Sequence, residues 1–351
     1  MEHVDVAVIG GGQSGLAAAH ALRMQGLQPV VLEASERAAG SWPRYYDSLT
    51  LFSPARYSSL PGVPFGGDPD RYPHRDEVVA YLLRCADRLD VEIRTRTRVQ
   101  EVRLDEGAFM LGLADGRRLA ARAVIAATGT FGRPHRPDLS GIDTYTGTLL
   151  HAAGYRSPEP FDGQRVVVVG AGNSAVQIAA ELAGRARVTL ATRHPVRFAR
   201  QRTLGRDLHW WLNRTGLDAL PVGRLLRTPP TQLVIDDGRY RAAVASERPD
   251  WRPVFTGASD TKVTWADGST EEVDAIVLAT GYRPDLGYLT PLGALDTTGH
   301  PRHREEMSLT HAGLAYVGLE WQRSLSSNSL RGVGRDAARA AQRIAAYLSR
   351  V

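Results

Sequence analysis

Gly10-Gly11-Gly12-Gln13-Ser14-Gly15 follows the apolar run Val6-Ala7-Val8-Ile9, and this stretch decides the fold. The short apolar run reads as a buried strand. A glycine-rich turn directly after it, opening a small-residue helix from Leu16 to Met24, is the setting of a dinucleotide-binding turn. The plan then repeats. Gly170-Ala171-Gly172-Asn173-Ser174-Ala175 follows Val166-Val167-Val168-Val169 and opens a second helix, Ala175 to Ala183. Each unit continues with an Asp-Gly turn between strand-like segments, Asp115-Gly116 and Asp267-Gly268. Each then has a buried strand ending in Ala-Thr-Gly, at Ala127-Thr128-Gly129 and Ala279-Thr280-Gly281. The implied fold is α/β: two Rossmann-like dinucleotide-binding domains, the second inserted in the first.

One residue separates the two units. Glu33 lies 21 positions beyond Gly12, and Arg193 lies 21 positions beyond Gly172. An acid there accepts hydrogen bonds from ribose hydroxyls, whereas an arginine suits a 2′-phosphate. The first site is therefore expected to hold FAD and the second NADPH, with electrons passing between them. For FAD the expected contacts are Gly10, Gly12, Gln13, Ser14, Gly15 and Glu33, with Thr128 and Gly129 of the first Ala-Thr-Gly. For NADPH they are Gly170, Gly172, Asn173, Ser174 and Arg193, with Thr280 and Gly281 of the second.

Bulk properties narrow the class. The 351 residues leave room for two domains, and 43% apolar with 23% charged residues is an ordinary globular composition. No apolar run approaches the ~20 residues of a membrane span. The N-terminus runs straight into a strand, so the expected location is cytoplasmic. A net charge of +5 raises nucleic acid as a partner, but the basic residues are scattered and no nucleic-acid module is visible. Lys262 is the one lysine among the 43 Lys and Arg residues. Cys85 is the single cysteine, in a helical segment, and reads as a buried structural thiol. One cysteine makes no dithiol pair, which excludes reductases of the thioredoxin and glutathione reductase types. No metal-ligand spacing is present. The expected partners are a small-molecule substrate and O2, with a homodimer left open.

Pro-containing stretches follow both Ala-Thr-Gly sites, Arg133-Pro134-His135-Arg136-Pro137 and Tyr282-Arg283-Pro284, and mark the crossings between domains. The FAD domain is expected at residues 1–150 plus 285–351 and the NADPH domain at 155–284. Residues 200–255, with Trp210, Trp211, Pro229 and Pro230, read as a helical insertion with loops. Near the C-terminus, the polar turn Ser326-Ser327-Asn328-Ser329 precedes Gly332-Val333-Gly334-Arg335-Asp336 and an Ala-rich helix to Leu348. In this layout the helix aims its N-terminus, Gly332 included, at the flavin's pyrimidine edge, where its partial positive charge favours an anion. Asn328 would bond the flavin carbonyls or substrate; a plain turn or N-cap role is the alternative.

These motifs together resemble the class B flavin-dependent monooxygenases. The family signature appears as Tyr145-x-Gly147-x-x-x-His151-x-x-x-Tyr155. A Gly-x-Trp after the ribose acid appears as Gly40-Ser41-Trp42. The resemblance is closest to the short bacterial branch of CzcO- and ArsO-type flavoproteins. It rests there on Asp47-Ser48-Leu49-x-Leu51-Phe52-Ser53-Pro54, Tyr72-Pro73-x-Arg75 and Arg331-Gly332-Val333-Gly334-Arg335-Asp336. It implies an NADPH-dependent flavin monooxygenase that oxygenates a small soft nucleophile, with H2O2 as a side product. It puts Trp42 at the flavin edge and His151 and Tyr155 at the hinge between domains. His151, Phe52 and Asn328 are the residues it implicates in the chemistry. Many family members carry Asn or His where this chain has Phe52, a departure that removes a hydrogen-bond donor beside the flavin. An NADPH:acceptor reductase without oxygenation stays open as the alternative, and a flavin redox sensor without turnover as a third reading.

Overall fold

The computed structural model describes residues 2–226 and 233–350. Pro229 and Pro230 lie outside the described residues. The first unit runs β1 (Glu2–Ile9), α1 (Gln13–Arg23), β2 (Pro29–Leu32), α2 (Arg75–Arg88), β3 (Glu92–Arg94), β4 (Val99–Asp105), β5 (Ala108–Leu113) and β6 (Arg118–Ala126). β1 pairs in parallel with β2 on one side and β6 on the other. Val6 to Ile9 are buried on both faces, as strands in the middle of a parallel sheet must be. That is why they read as an unbroken apolar run instead of an alternating one.

Beyond β6 the sheet continues with Leu314–Tyr316, again parallel, so the C-terminal segment returns to the first unit. One face packs on α1, α2 and the last helix. Ala17, Ala18 and Ala21 of α1 meet Ala337, Ala340 and Ala341, and small side chains let these two helices approach closely. The other face is covered by the antiparallel β4–β5 hairpin and the segment Gly287–Leu292.

The chain leaves this sheet through β7 (Arg133–Pro134), which pairs antiparallel with Tyr282–Arg283 on the way back. The two crossings are therefore zipped together, where the prolines placed them. The second unit runs β8 (Thr148–His151), β9 (Arg165–Val169), α3 (Asn173–Leu182) and β10 (Arg187–Thr192). Its five strands lie parallel in the order Asp250–Pro253, β10, β9, Ala275–Leu278, β8. The predicted boundary at residue 150 needs correction. β8 is the edge strand of the second sheet, because Thr148 to His151 pair with Ala275 to Leu278. The strand could not close that sheet from the first unit.

Both Asp-Gly turns sit in antiparallel hairpins. β5 and β6 flank the first, and Lys262–Thr264 and Thr270–Glu272 flank the second. The insertion carries two short helices, α4 (Leu208–Thr215) and α5 (Arg239–Ala245). The terminal helix α6 (Leu330–Leu348) begins two residues earlier than the glycine pattern suggests, because Ser329 at its N-cap is extended and the chain turns helical directly after it. Among the described residues no helix is long and apolar enough to cross a membrane.

Candidate active site

The two glycine turns open on one cleft of about 1250 Å³. Each turn leaves the C-terminal end of its central strand, where α/β sheets place ligands. The glycines of the first turn are required by the fold itself. A Cβ on Gly15 would stand 1.7 Å from the Gly10 carbonyl oxygen, and Gly10 has φ +106° with Ala127 O only 2.8 Å from its Cβ position. Gly12 backs onto Gly40, whose own Cβ would meet Gly12 Cα at 2.8 Å. This contact explains the glycine of Gly40-Ser41-Trp42.

The second turn differs. Gly170 has φ +143° and lies against Ala279 O, but a Cβ on Gly172 would meet nothing within 4 Å among the described residues. Gly172 is extended (φ −90°, ψ −177°), a conformation open to any residue. The protein therefore does not need glycine there. An open cradle at a helix N-terminus is what close approach of a pyrophosphate needs.

Glu33, at the end of β2, is 6% exposed. Its carboxylate accepts from Gly11 N at 2.6 Å and Ser35 N at 2.7 Å, and it lines the cleft. Two backbone donors hold it still, and each oxygen keeps a lone pair for a ribose hydroxyl. Arg193 stands exposed on the cleft wall past β10 and makes no hydrogen bond or ion pair within the described chain. Its free guanidinium suits a phosphate.

Gln13 bridges the first-turn side of the cleft. Its Nε2 donates to Asn328 O at 2.6 Å, and its Oε1 accepts from Trp42 Nε1 at 3.1 Å. The first turn thus fixes both the indole of Trp42 and the backbone before α6. Asn328 lines the cleft, its side chain without a hydrogen bond among the described residues, and the N-terminus of α6 faces the same space. Ser14 is buried against Gly318, where a Cβ would come within 2.0 Å of Ser14 Oγ. Asn173 lines the cleft but turns its side chain to the insertion, accepting from Ile235 N at 3.1 Å. Ser174 lines the cleft beside it.

The two Ala-Thr-Gly sites hold each other's crossing. Thr128 Oγ1 donates to Asp285 O at 3.4 Å, past the return crossing. Thr280 Oγ1 donates to His135 O, past the outgoing one, and His135 N donates to Gly281 O at 2.9 Å. All four residues, Thr128, Gly129, Thr280 and Gly281, also line the cleft.

Two expectations need correction. His151 is 5% exposed and does not line the cleft. Its Nδ1 accepts from Ala153 N at 3.0 Å, so Nε2 carries the proton and donates to Gly281 O at 3.0 Å. Burial pushes its pKa below the usual imidazole value, and the neutral ring sits edge-on to Tyr282 at 4.9 Å. His151 ties the end of β8 to the returning crossing and is a positioning residue, as its hinge reading implies. Gly332 likewise faces away from the cleft. A Cβ there would collide with Ser326 O at 2.1 Å, so it is a packing glycine within α6. Tyr145 and Tyr155 complete the signature as anchors: Tyr145 donates to Val273 O and Tyr155 to Glu181 Oε2.

Phe52 lines the cleft and is 40% exposed, its ring stacked on buried His209 at 6.2 Å and 24°. His209, Gln201 and Asp207 carry no motif and were not legible in the sequence. The edge-to-face ladder of Trp42, Tyr45, Phe131 and Tyr282 along the cleft was equally hidden, because its members come from both units. Arg331, in the first turn of α6, also lines the cleft, and Asp218 of the insertion holds it at 3.0 Å. Cys85 is buried in α2 and lies outside the cleft.

Comparison with known proteins agrees with this geometry. The profile of the pyridine nucleotide-disulphide oxidoreductase family matches residues 7–216. An uncharacterized CzcO-like oxidoreductase of Geobacillus kaustophilus is 30% identical over 96% of this chain and 97% of its own. Indole-3-pyruvate monooxygenase YUCCA1 of Oryza sativa is 31% identical over 83% of this chain and 80% of its own. The solved flavin-containing monooxygenase of Stenotrophomonas maltophilia superposes with a TM-score of 0.87 at 34% identity, covering 99% of both chains. Members of this group use FAD and NADPH. The chain belongs to the pyridine nucleotide-disulphide oxidoreductase family, among its flavin-monooxygenase-like members, and is an NADPH-dependent flavoprotein oxidoreductase of the monooxygenase type.

Proposed function

We propose that this chain oxygenates a small soft nucleophile, a sulfide, amine, ketone or arsenite-like species, in the cleft between its two glycine turns. The observation that carries the reading is the convergence of both turns, with buried Glu33 and exposed Arg193, on one continuous cavity. FAD belongs to the first turn and NADPH to the second. The flavin unit comprises the first sheet, up to the outgoing crossing at β7 and again from 285 onward. The nicotinamide unit lies between the crossings.

The chemistry supplied by the bound cofactors is hydride transfer from NADPH and activation of O2. The chain's own part is orientation and electrostatics. Glu33 takes the adenosine ribose of the flavin, and Gly12 and Ser14 present backbone N–H groups to its pyrophosphate, while the Gly10 N–H is spent on Leu32 O at 2.8 Å. Gly172, Asn173 and Ser174 do the same for the nicotinamide dinucleotide, and Arg193 takes its 2′-phosphate. The N-terminus of α6 puts partial positive charge on the opposite wall, favouring an anionic reduced flavin, while Arg331 beside it is paired with Asp218. The aromatic ladder from Trp42 to Tyr282 gives the cleft an apolar flank that excludes water. Phe52 offers no donor, which favours a share of NADPH consumption appearing as H2O2.

The test is direct. The purified protein is expected to release FAD on denaturation and to bleach with NADPH under anaerobic conditions. On readmission of air, oxygen is then incorporated into methyl phenyl sulfide or released as H2O2. Release of FMN, or no bleaching by NADPH, would sink the reading. Bleaching with electrons delivered only to a quinone or metal complex would favour the acceptor reductase.

A further inference from the structure

Tyr72, Gln201, Asp207 and His209 form a polar knot at the rim of the cleft that no cofactor role accounts for. Asp207 lies at its centre, with a side chain 12% exposed. Its Oδ2 accepts from Tyr72 Oη at 2.6 Å and from Gln201 Nε2 at 2.6 Å. Its Oδ1 accepts from His209 N at 2.7 Å and from His209 Nδ1 at 2.9 Å. A carboxylate only accepts, so Nδ1 of His209 carries the proton. Tyr72 comes from the first unit, whereas the other three come from the insertion of the second.

The knot reaches the cleft at one residue. Gln201 Nε2 also donates to the Phe52 carbonyl at 3.0 Å. The imidazole that Asp207 orients, itself 1% exposed, is the surface on which the Phe52 ring stacks. The backbone and the ring of Phe52 are thus both set by groups that Asp207 organises. Burial alone would raise the Asp207 pKa, but the donors His209, Tyr72 and Gln201 outweigh it and hold the carboxyl below its usual range. Burial keeps His209 neutral against the pull of Asp207, so the ring donates without charge.

We propose that Asp207 is a positioning residue for this cleft: it latches the insertion to the first unit through Tyr72 and seats Phe52 on the cleft wall through Gln201 and His209. The role of the seat rests on the reading of the cleft as the oxygenation site. Because Asp207 is held by both units, the shape of the wall beside Phe52 depends on how the two units are docked.

The test is a double-variant cycle. Asp207→Asn keeps an N-cap for α4, since asparagine is as good a cap as aspartate. It turns an N–H group toward Tyr72 and Gln201; the tyrosine hydroxyl can accept from it, but the Gln201 amide N–H, itself a donor, cannot. With methyl phenyl sulfide as probe, KM is expected to rise roughly tenfold, with anaerobic bleaching by NADPH changed less than about twofold. In the Phe52→Ala background the same substitution is expected to leave KM within about twofold, because the ring it seats is gone, although the carbonyl at position 52 remains. An equal factor in both backgrounds would overturn the proposal. Deuterium exchange needs no turnover: Asp207→Asn is expected to speed exchange at residues 50–54 and leave β1 and β9 unchanged. Wild-type protection at 50–54 would also overturn it, even where the probe is not oxygenated. Should Asp207→Asn not fold, Gln201→Leu, which removes the bond to the Phe52 carbonyl, takes its place in the exchange measurement, with the same faster exchange expected at residues 50–54. Failure of the functional reading is seen separately, as a wild-type protein that NADPH does not bleach.

Discussion

The Glu33 carboxylate accepts a 2.6 Å hydrogen bond from the backbone N–H of Gly11, joining the end of β2 to the middle of the first glycine turn. With Ser35 N on the other oxygen, the acid is locked before any ribose arrives. Its position reflects the turn as much as the ligand, so a change here acts on both.

Glu33→Gln is the discriminating substitution. A charge-assisted bond contributes about 1.5–3 kcal/mol, so losing the charge is expected to weaken FAD binding roughly tenfold to a hundredfold. The measurement is flavin retention on dilution, followed by fluorescence of released FAD. Full retention would show that the ribose is held by other groups.

The glycines of the two turns are expected to separate folding from binding. Gly15→Ala would place a carbon 1.7 Å from Gly10 O, and loss of soluble, folded protein is expected. Gly172→Ala meets no atom of the described residues within 4 Å, so the melting temperature is expected to hold while the KM for NADPH rises tenfold or more, about 1.4 kcal/mol per decade. Unchanged KM with intact folding would place the pyrophosphate elsewhere. Gly170 is less informative, because a side chain there also strikes Ala279 O.

Arg193→Ala tests cofactor choice. The wild type is expected to prefer NADPH over NADH, and the variant to lose about tenfold to a hundredfold of that preference through NADPH alone. Steady-state kcat/KM for both nucleotides checks it. Equal use of both by the wild type would show that the exposed guanidinium of Arg193 does not reach the phosphate.

Phe52→Asn is expected to restore a donor to the cleft wall and lower the H2O2 released per NADPH consumed. The stack on His209 is lost in the same step, so a fall in melting temperature is expected with it. Peroxide per NADPH, with and without methyl phenyl sulfide, is the readout. No change in that ratio would mean that Phe52 does not touch the oxygen chemistry.

Stability is expected to fall as pH drops below about 6.5. His151 and His209 are held below the ordinary imidazole value of 6.5 by burial, so the unfolded chain takes up protons that the folded one refuses. Each such histidine removes up to ~1.4 kcal/mol per pH unit between 6.5 and its folded pKa. Asp207 adds to the decline only at lower pH, because its contribution is full above 3.8 and is lost as pH falls through its depressed folded pKa. Melting temperature against pH, with His151→Gln as comparison, measures the slope. A variant slope as steep as the wild type would remove His151 as a contributor.

The sequence by itself determined the paired architecture and the glycine turns that open on the cleft. Both glycine turns, Glu33, Arg193 and both Ala-Thr-Gly sites were legible because each lies within a strand–turn–helix whose geometry is local. The backbone needs glycine at Gly10 and Gly15 whatever surrounds them, and fully buried parallel strands must read as apolar runs. What lies between the units was decided only by tertiary structure. β8 joins the second sheet through pairs with a strand more than a hundred residues away, which no local pattern specifies. The side of α6 that faces the cleft, and hence the packing role of Gly332, depended on where Ser326 came to rest. His151 became a positioning residue because Ala153 and Gly281 take both ring nitrogens. The Tyr72–Asp207–His209 knot under Phe52 joins two segments brought together only when the insertion docks. Side-chain partnerships across a domain junction have no period and no spacing, so the chain carries no sign of them until it is folded.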